Sequence, residues 1–241
     1  MNIRDDVYKS GNVHLWTYDL TKEEECPIDW KILSLEEQQR AQRISPSGKQ
    51  TQYARSRLFL RRLLGFYLME APSDIEITIG PFGKPELCQR MGDRMPLSFN
   101  LSHTHGLAIC GLSTHKRIGV DTEGPRKMPS LEALAKKCLS QNEYEAWALL
   151  DAEHKLRQFQ AHWCAKEAFS KAVGRGIAIG LETIEVKPDL GGFMTVPQGY
   201  GLAEDWHLHL ERNHQFLMAV CFEQRPAKIR NFEYKTSALG N

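Results

Sequence analysis

Two long helical segments, each followed by a run of short β-like segments, constrain the fold of this chain most. Residues 48–69 place apolar side chains at helical spacing with arginines between them, and residues 153–173 show a second helical pattern. Because the order of helix and then sheet occurs twice, the sequence predicts an α+β fold of two similar halves, residues 1–124 and 125–241. We expect a functional site where the two halves meet.

Shorter elements are predicted from periodicity and from turns that contain Gly and Pro. Three further helical patterns span residues 34–44, 131–139 and 142–150. The β-like segments are residues 13–20, 75–79, 97–102, 107–113 and 117–123 in the first half and residues 183–187, 193–196, 206–211 and 216–222 in the second.

Composition argues against several functional classes. The 241 residues include 31 basic and 30 acidic side chains, so the net charge of +1 predicts neither nucleic-acid nor membrane binding. No apolar run approaches the roughly 20 residues of a membrane-spanning helix. The 6 cysteines form no Cys-x-x-Cys pair. We therefore expect a cytoplasmic protein whose cysteines are reduced and fill the core.

The β-like segment 117–123 carries two carboxylates on one face. Side chains alternate along a strand, so Asp121 and Glu123 share a face with Gly119, while the apolar residues between them occupy the other face. The two carboxylates repel each other, and a cation must offset them if their face is closed to water. The alternative is a solvated strand end with two ordinary surface acids.

Other segments carry residues suited to a metal ion or to phosphate. Glu167 and Lys171 lie on one helical face at i and i+4, with Lys166 about 100° away, which suits metal and phosphate oxygens or forms only a surface ion pair. His103 follows a strand and can donate to a phosphate or cap its own turn. Lys84 lies in a bend of glycines and prolines, which taken alone is simply a turn.

Standard motifs for nucleotide binding and hydrolysis are absent from the sequence. It contains no G-x-x-x-x-G-K-[ST] phosphate loop, no G-x-S-x-G elbow and no H-E-x-x-H zinc motif. The chain therefore offers no obvious nucleophile of its own. This favours a transferase whose nucleophile belongs to a second substrate.

Taken in order, these segments resemble the surfactin-synthetase-activating (Sfp-type) 4′-phosphopantetheinyl transferases. That family has a Gly-hydrophobic-Asp-x-Glu strand and a Trp-x-x-Lys-Glu-(Ala/Ser)-x-x-x-Lys helix. Residues 119–123 and 163–171 fit the two patterns, and the resemblance covers residues 10–225. It implies a pseudo-dimeric α+β fold with coenzyme A in the cleft between the halves.

The resemblance also implies a metal site and a phosphate site. Magnesium (Mg²⁺) would be held by Asp121, Glu123 and Glu167 and would bridge the pyrophosphate of coenzyme A. Lys166 and Lys171 are similar to the family residues that line this phosphate region.

A second set of residues is implied to recognise the 3′-phosphate of coenzyme A. His103 is similar to the family residue near that group, and Arg40 and Arg57 align with residues that hold it. Arg55 and Arg61 lie close to Arg57 in the same helical segment and are alternatives to it in this alignment. The resemblance therefore assigns a basic residue of this helix to the 3′-phosphate but does not decide which one.

The implied reaction is attack of a carrier-protein serine on the β-phosphate of coenzyme A, with release of adenosine 3′,5′-bisphosphate. Magnesium and Lys166 would neutralise phosphate charge, and Glu123 or Glu143 would accept the serine proton. Glu143 occupies the place of a glutamate proposed in the family as general base. Lys84 and the backbone beside it resemble the adenine-side turn of the family.

Two other functions stay open at this point: a non-catalytic module that binds coenzyme A or a nucleotide, and a metal-dependent nucleotide pyrophosphohydrolase. The sequence retains all three acidic residues of the implied metal site, Asp121, Glu123 and Glu167, which argues against the non-catalytic module. Because the two halves repeat in order while the candidate ligands do not, we expect one site per chain and an active monomer. The partner would be an apo acyl or peptidyl carrier protein, and the sequence does not identify which.

Overall fold

The computed structural model describes residues 3–21, 28–88, 96–104, 106–114, 117–125, 128–213, 216–224 and 228–235. Its α-helices are α1 (Ile3–Ser10), α2 (Leu35–Gln42), α3 (Ser47–Leu68), α4 (Leu131–Cys138), α5 (Gln141–Ala148) and α6 (Ala152–Val173). Its β-strands are β1 (Val13–Asp19), β2 (Ile77–Ile79), β3 (Pro85–Leu87), β4 (Ser98–Thr104), β5 (Leu107–Ser113), β6 (Ile118–Glu123), β7 (Glu185–Val186), β8 (Phe193–Thr195), β9 (Trp206–Arg212), β10 (Leu217–Glu223) and β11 (Ile229–Glu233). Short 3-10 helices span Trp30–Ile32, Pro72–Asp74, Gly176–Ile179, Leu181–Thr183 and Ala203–Asp205.

Side-chain caps determine where several helices begin. Ser34 accepts a hydrogen bond from the backbone N–H of Glu37 at the start of α2, and the Glu37 carboxylate accepts one from the backbone N–H of Ser34. Ser140 and Glu143 form the same reciprocal pair at the start of α5. Asp151 caps α6 by accepting from a backbone N–H of the first turn. The capping glutamates of α2 and α5 are both buried.

Two main sheets form the framework. The first has the strand order β11-β1-β5-β4 and the second has the order β6-β10-β9. β1 pairs with β11 in parallel, whereas the other pairings within these sheets are antiparallel. The remaining described strands form two small antiparallel pairs, β2 with β3 and β7 with β8.

Each long helix packs on one sheet. Leu63 of α3 lies in one buried cluster with Phe99 of β4, and Phe169 of α6 lies in another with Ala219 of β10. A third buried cluster, which includes Val120, joins β1 and β5 to β6 and β10. The two sheets therefore pack against each other between the two helices.

Strand pairing crosses the predicted boundary between residues 124 and 125. β6 precedes this boundary but pairs with β10, and β11 follows it but pairs with β1. Each sheet is therefore completed by a strand from the other side of the boundary. The predicted α+β class is confirmed, while the division into two similar halves stays a prediction.

Four of the five described cysteines lie in the core as expected, and Cys88 does not. None of the described helices is long and apolar enough to cross a membrane. Four free cysteines are buried, Cys110, Cys138, Cys164 and Cys221, whereas Cys88 is exposed and Cys26 lies outside the described residues. The sequence patterns did not predict α1, β3 or β11.

Candidate functional site

Strand β6 and helix α6 lie in direct contact at the site. A Cβ atom placed on Gly119 would lie 2.1 Å from the carbonyl oxygen of Ala168 and 2.3 Å from the backbone nitrogen of Ala172. Glycine is therefore required for α6 to approach β6 this closely. The contact sets the motif residues of α6 against the carboxylate face of β6, as strand alternation predicted.

A closed triangle of hydrogen bonds joins β4, β6 and α6. Lys171 Nζ donates to Asp121 Oδ1 over 2.6 Å and to Ser102 Oγ over 3.0 Å. Ser102 Oγ in turn donates to Asp121 Oδ1 over 3.2 Å. Asp121 is only 6% exposed, so the lysine offsets a carboxylate that is almost closed to water.

Two buried carboxylate oxygens at this triangle, Asp121 Oδ2 and Glu167 Oε1, accept no hydrogen bond from the described part of the chain. Burial and then the charge of Asp121 raise the pKa of Glu167, while Lys171 opposes them. A buried carboxylate oxygen without a partner is costly, and a hard divalent cation with oxygen ligands offsets that cost. These two oxygens therefore fit a metal ion such as magnesium.

Glu123 lies on the same face of β6 and is 8% exposed. Burial raises the pKa of the Cys164 thiol on α6, and the neighbouring carboxylates of Asp121 and Glu123 raise it further, so both lie near this helix. Across the described ranges, however, no three His, Cys, Asp or Glu side chains are grouped closely enough to hold a metal ion. One oxygen of Asp121 is bonded to Lys171 instead. A single ion shared by Asp121, Glu123 and Glu167 stays a prediction.

A cavity of about 300 Å³ adjoins the triangle. It is lined by Arg40 of α2, Arg57 of α3, and Ser102 and His103 of β4, together with Gly83 of the bend between β2 and β3. The structure thus brings together the three residues predicted to recognise the 3′-phosphate. Because Ser102 belongs to both the cavity and the triangle, the basic cavity and the carboxylates form one continuous site.

The three arginines of α3 that are alternatives in the family alignment differ in their contacts. Arg55 is buried and donates to the carbonyl oxygen of Leu20, away from the cavity. Arg61 is also buried and donates to two backbone carbonyl oxygens of residues 72–75. Arg57 and Arg61 both line the cavity, but Arg57 is only partly buried, so it is the best placed of the three to meet a ligand.

Glu37 holds the arginines of this cavity in place. Its two carboxylate oxygens accept from Arg57 Nε over 2.6 Å and from Arg61 Nε over 2.5 Å. Burial alone would raise the pKa of Glu37, but the two arginines and the Ser34 N–H outweigh it, and that pKa is lowered. Arg40, at the end of α2, lies over the ring of Tyr53. The sequence patterns did not identify Glu37.

Sequence reasoning also missed two residues that precede His103 on β4. Asn100 Oδ1 accepts from the backbone N–H of Val120 over 2.8 Å, which ties β4 to β6 although the two strands belong to different sheets. Ser102 then bonds both Asp121 and Lys171. Their polar character in an otherwise strand-like segment was the available signal.

Lys84 does not direct its amine into the cavity. Its Nζ donates to the carbonyl oxygen of Ala172 over 2.8 Å and to that of Ile118 over 3.2 Å. Burial lowers the pKa of Lys84 to about 8. Lys84 therefore ties its bend to the end of α6 and the start of β6, while Gly83 and Pro85 of the bend line the cavity. Its predicted contact with the adenine side stays a prediction.

Lys166 and Glu143 form a separate, fully buried pair. Lys166 is 0% exposed, and its Nζ donates to Glu143 Oε2 over 2.5 Å and to the carbonyl oxygens of Cys138 and Leu181. Glu143 also accepts from the backbone N–H groups of Ser140 and Val186. The structure does not bring Lys166 to the hydrogen bonds of the triangle, so the contact of Lys166 with phosphate and the role of Glu143 as base stay predictions.

Comparison with known proteins finds the same strand and helix in one family. The family model described as the 4′-phosphopantetheinyl transferase superfamily matches residues 117–221, which contain Asp121, Glu123, Glu167 and Lys171.

Individual relatives extend the similarity over most of the chain. The 4′-phosphopantetheinyl transferase HetI of Nostoc sp. is 38% identical over 178 residues, which cover 73% of this chain and 74% of HetI. The putative 4′-phosphopantetheinyl transferase slr0495 of Synechocystis sp. is 34% identical over 190 residues, which cover 76% of each chain. The 4′-phosphopantetheinyl transferase Sfp of Bacillus subtilis is 29% identical over 149 residues, which cover 62% of this chain and 63% of Sfp.

Proposed function

Because this chain belongs to the 4′-phosphopantetheinyl transferase superfamily, we propose that it transfers the 4′-phosphopantetheine group of coenzyme A to a serine of an apo carrier protein. Adenosine 3′,5′-bisphosphate would be the second product. The superfamily predicted from the sequence is confirmed. The narrower Sfp type and the holo-acyl-carrier-protein synthase subtype are part of the proposal.

The observation that carries this proposal is the continuous site formed by the triangle and the basic cavity. Two buried carboxylate oxygens without partners lie at one end, and Arg40, Arg57 and His103 line the other end. Coenzyme A carries a pyrophosphate and a separate 3′-phosphate, so it needs cationic partners at two places. Ser102, which belongs to both ends, supports one ligand that spans them.

The acidic end would hold the metal ion. Asp121, Glu123 and Glu167 would bind magnesium, which when bound supplies positive charge to the pyrophosphate oxygens. Lys171 would donate to a phosphate oxygen, since its amine already lies at the edge of the cavity through Ser102. These residues position and neutralise the phosphates, while the serine hydroxyl of the carrier supplies the nucleophile.

The serine oxygen would attack the β-phosphorus, the bond from that phosphorus to the oxygen of the α-phosphate would break, and a carboxylate would take the serine proton. Of the two candidate bases, Glu143 already accepts from Lys166 and from two backbone N–H groups. Glu123 lies on the same strand face as Asp121, beside the proposed metal site, and because of that position it is the base we favour. Lys166 would then act as a positioning residue that anchors α6.

Incubation with coenzyme A, magnesium and an apo carrier protein tests the function directly. A mass gain of one phosphopantetheine on the carrier serine is expected. Free phosphopantetheine with an unchanged carrier would indicate the pyrophosphohydrolase instead. Binding of coenzyme A without either product would indicate a non-catalytic module. A parallel panel of apo acyl and peptidyl carriers would identify the preferred partner.

The monomeric state and the cytoplasmic location are proposed on the sequence alone. One chain should suffice, because Asp121 on β6 and Glu167 on α6 come from a single chain. Light scattering combined with titration of coenzyme A should give a monomer that binds one equivalent. An obligate dimer, or two equivalents per chain, would contradict the proposal.

A further inference from the structure

A second cavity, of about 460 Å³, lies between α5, the first half of α6 and the pair formed by β7 and β8. This volume falls within the range of small-molecule sites. The lining residues include none of the residues of the triangle or of the basic cavity. Apolar side chains make up much of its wall, namely Ala146, Trp147, Leu150, Val186, Pro188 and Met194.

One side chain of the cavity wall, His162, is buried and keeps an acceptor atom without a donor. His162 is 6% exposed, and its Nδ1 lies 3.0 Å from the carbonyl oxygen of Gln158. Because a carbonyl only accepts, Nδ1 carries the proton, and Nε2 of the neutral ring is an acceptor. The nearest charged partner of Nε2 is the Glu143 carboxylate, 3.8 Å away, which is also an acceptor. Burial lowers the pKa of His162 and favours this neutral form.

A cation without an ion pair lies on the same wall. Arg157 is exposed, and no carboxylate of the described residues lies within ion-pair distance of its side chain. Of the two acids of the wall, Glu143 accepts from the ammonium group of Lys166, whereas the amide of Asn142 that bonds Glu185 is neutral. Arg157 is therefore the cation that a ligand carboxylate can pair with at the exposed end of the cavity.

We propose that this cavity binds a small aromatic hydroxy acid. Its hydroxyl group donates to His162 Nε2 at the buried end, its ring packs on the apolar wall, and its carboxylate pairs with Arg157 at the exposed end. The two polar residues are five positions apart on α6, which separates their backbones by a rise of about 7.5 Å along the helix axis. A phenyl ring with a two-carbon acid chain has a length of this order. The cavity shares no lining residue with the triangle or the basic cavity.

Isothermal titration calorimetry with 3-(4-hydroxyphenyl)propanoate tests the site on the full chain. We expect saturable binding of one equivalent with a Kd below about 1 mM for a ligand of this size. Two matched probes each lack one polar end, namely 3-phenylpropanoate and 3-(4-hydroxyphenyl)propanol. Loss of the hydroxyl should weaken binding about tenfold, because His162 then keeps an unsatisfied acceptor. Absence of saturable binding, or equal binding of 3-phenylpropanoate, would overturn the proposal.

Three variants locate the ligand. Ala146→Trp fills the cavity from the exposed side of α5 and should abolish binding while transfer to a carrier protein continues. Arg157→Gln should weaken the hydroxy acid about threefold to fivefold and leave the alcohol probe unchanged. Arg43→Gln is the matched control, because Arg43 is likewise exposed but does not line this cavity, and it should bind as the wild type does. Undiminished binding by Ala146→Trp would place the ligand elsewhere and refute the site.

Discussion

Helix α6 carries two lysines that each pair with a buried carboxylate, and the two pairs differ in what surrounds them. Lys166 is 0% exposed, and its three hydrogen bonds go to Glu143 and two backbone carbonyl oxygens. Lys171 has a side chain that is 27% exposed, and it bonds Asp121 and Ser102 at the edge of a cavity. The first pair is closed by the protein itself, whereas the second is open to a ligand.

The carboxylates show the same difference. Glu143 accepts from an ammonium group and from two backbone N–H groups, which is the satisfied state expected of a structural ion pair. Asp121 and Glu167 each keep a buried oxygen that accepts nothing from the described residues. Unsatisfied buried acceptors persist where a function needs them, so we expect the pair at Lys171 to belong to the site and the pair at Lys166 to support the fold.

The largest expected effect comes from removing carboxylate charge at the open pair, namely the charge of Asp121 or of the neighbouring Glu167. Asp121→Asn and Glu167→Gln should each reduce transfer to a carrier protein by at least about 100-fold, since they remove charge where phosphate chemistry needs a cation. Folding should survive. The raised pKa of Glu167 means that its ionised form costs stability above its usual pKa, so Glu167→Gln should be at least as stable as wild type at neutral pH.

Magnesium gives a second readout that does not depend on activity. Wild-type protein should gain thermal stability as magnesium is added, because an ion that binds only the folded state shifts the equilibrium. The Asp121→Asn variant should show little gain. Equal stabilisation of both proteins, or near wild-type transfer by either variant, would show that the open pair does not hold the metal.

Breaking the closed pair should instead cost stability. Lys166→Met leaves the Glu143 carboxylate buried without its cation and should lower the free energy of unfolding by about 3–5 kcal/mol, measured by urea titration. Lys171→Met is the matched control and should cost less, because its side chain is partly exposed. The double variant with Glu143→Gln should recover part of the loss. If Lys171→Met proved the more costly, the assignment of roles to the two pairs would be reversed.

The sequence predicted which motif residues share a face of β6 and which share a face of α6, because that geometry is local, but it did not predict the bond between Lys171 and Asp121. Strand alternation placed Asp121 and Glu123 on one face, and helical spacing placed Glu167 beside Lys171. The sequence could not predict which protein groups surround the amine of Lys166. Helical spacing gives the direction of that side chain but does not show which carbonyl groups of the chain will cover it.

Sequence patterns also could not predict the contacts between the two main sheets. Asn100 and Ser102 act on β6 only because β4, in one sheet, meets β6, in the other. Strand β11 was missed because its register comes from parallel pairing with β1 at the far end of the chain. The α+β class and both long helices were predictable, since they rest on periodicity within single segments.

Gly119 sets the distance between the open pair and its helix. In Gly119→Ala the new methyl group would overlap the backbone of Ala168 and Ala172, so α6 must move away from β6. We expect a loss of about 1–3 kcal/mol in the free energy of unfolding, together with reduced transfer. Ala219→Gly on β10, opposite Asp121, would not push the helix away and serves as a control. Full activity in Gly119→Ala would show that this close contact is dispensable.

The basic cavity beside Lys171 should recognise the 3′-phosphate of coenzyme A. Wild-type protein should bind coenzyme A about tenfold more tightly than dephospho-coenzyme A, and His103→Ala and Arg57→Gln should each narrow that ratio. Arg55→Lys is a suitable control, because Arg55 bonds the carbonyl oxygen of Leu20 away from the cavity. If His103→Ala weakened both ligands equally, the role of His103 in reading the 3′-phosphate would be excluded.

The last expected effect appears only above about pH 8 and concerns Lys84, a third lysine that bonds only backbone carbonyl oxygens among the described residues. Burial lowers its pKa in the folded protein from 10.5 to about 8. Between these values the unfolded chain binds a proton that the folded chain has lost, so the contribution of Lys84 to stability rises with pH across this window. Below about pH 8 its charged form imposes the full desolvation cost.

Urea unfolding of wild type and Lys84→Met at a series of pH values should isolate this contribution, because the other titrating groups are common to both proteins. The difference in the free energy of unfolding should shift in favour of wild type from about pH 8 to about pH 10.5. A difference that stays constant would mean that Lys84 titrates normally and is solvated like a surface lysine. Lys84 would then not tie the bend to α6, and the cavity wall formed by that bend would lack its anchor.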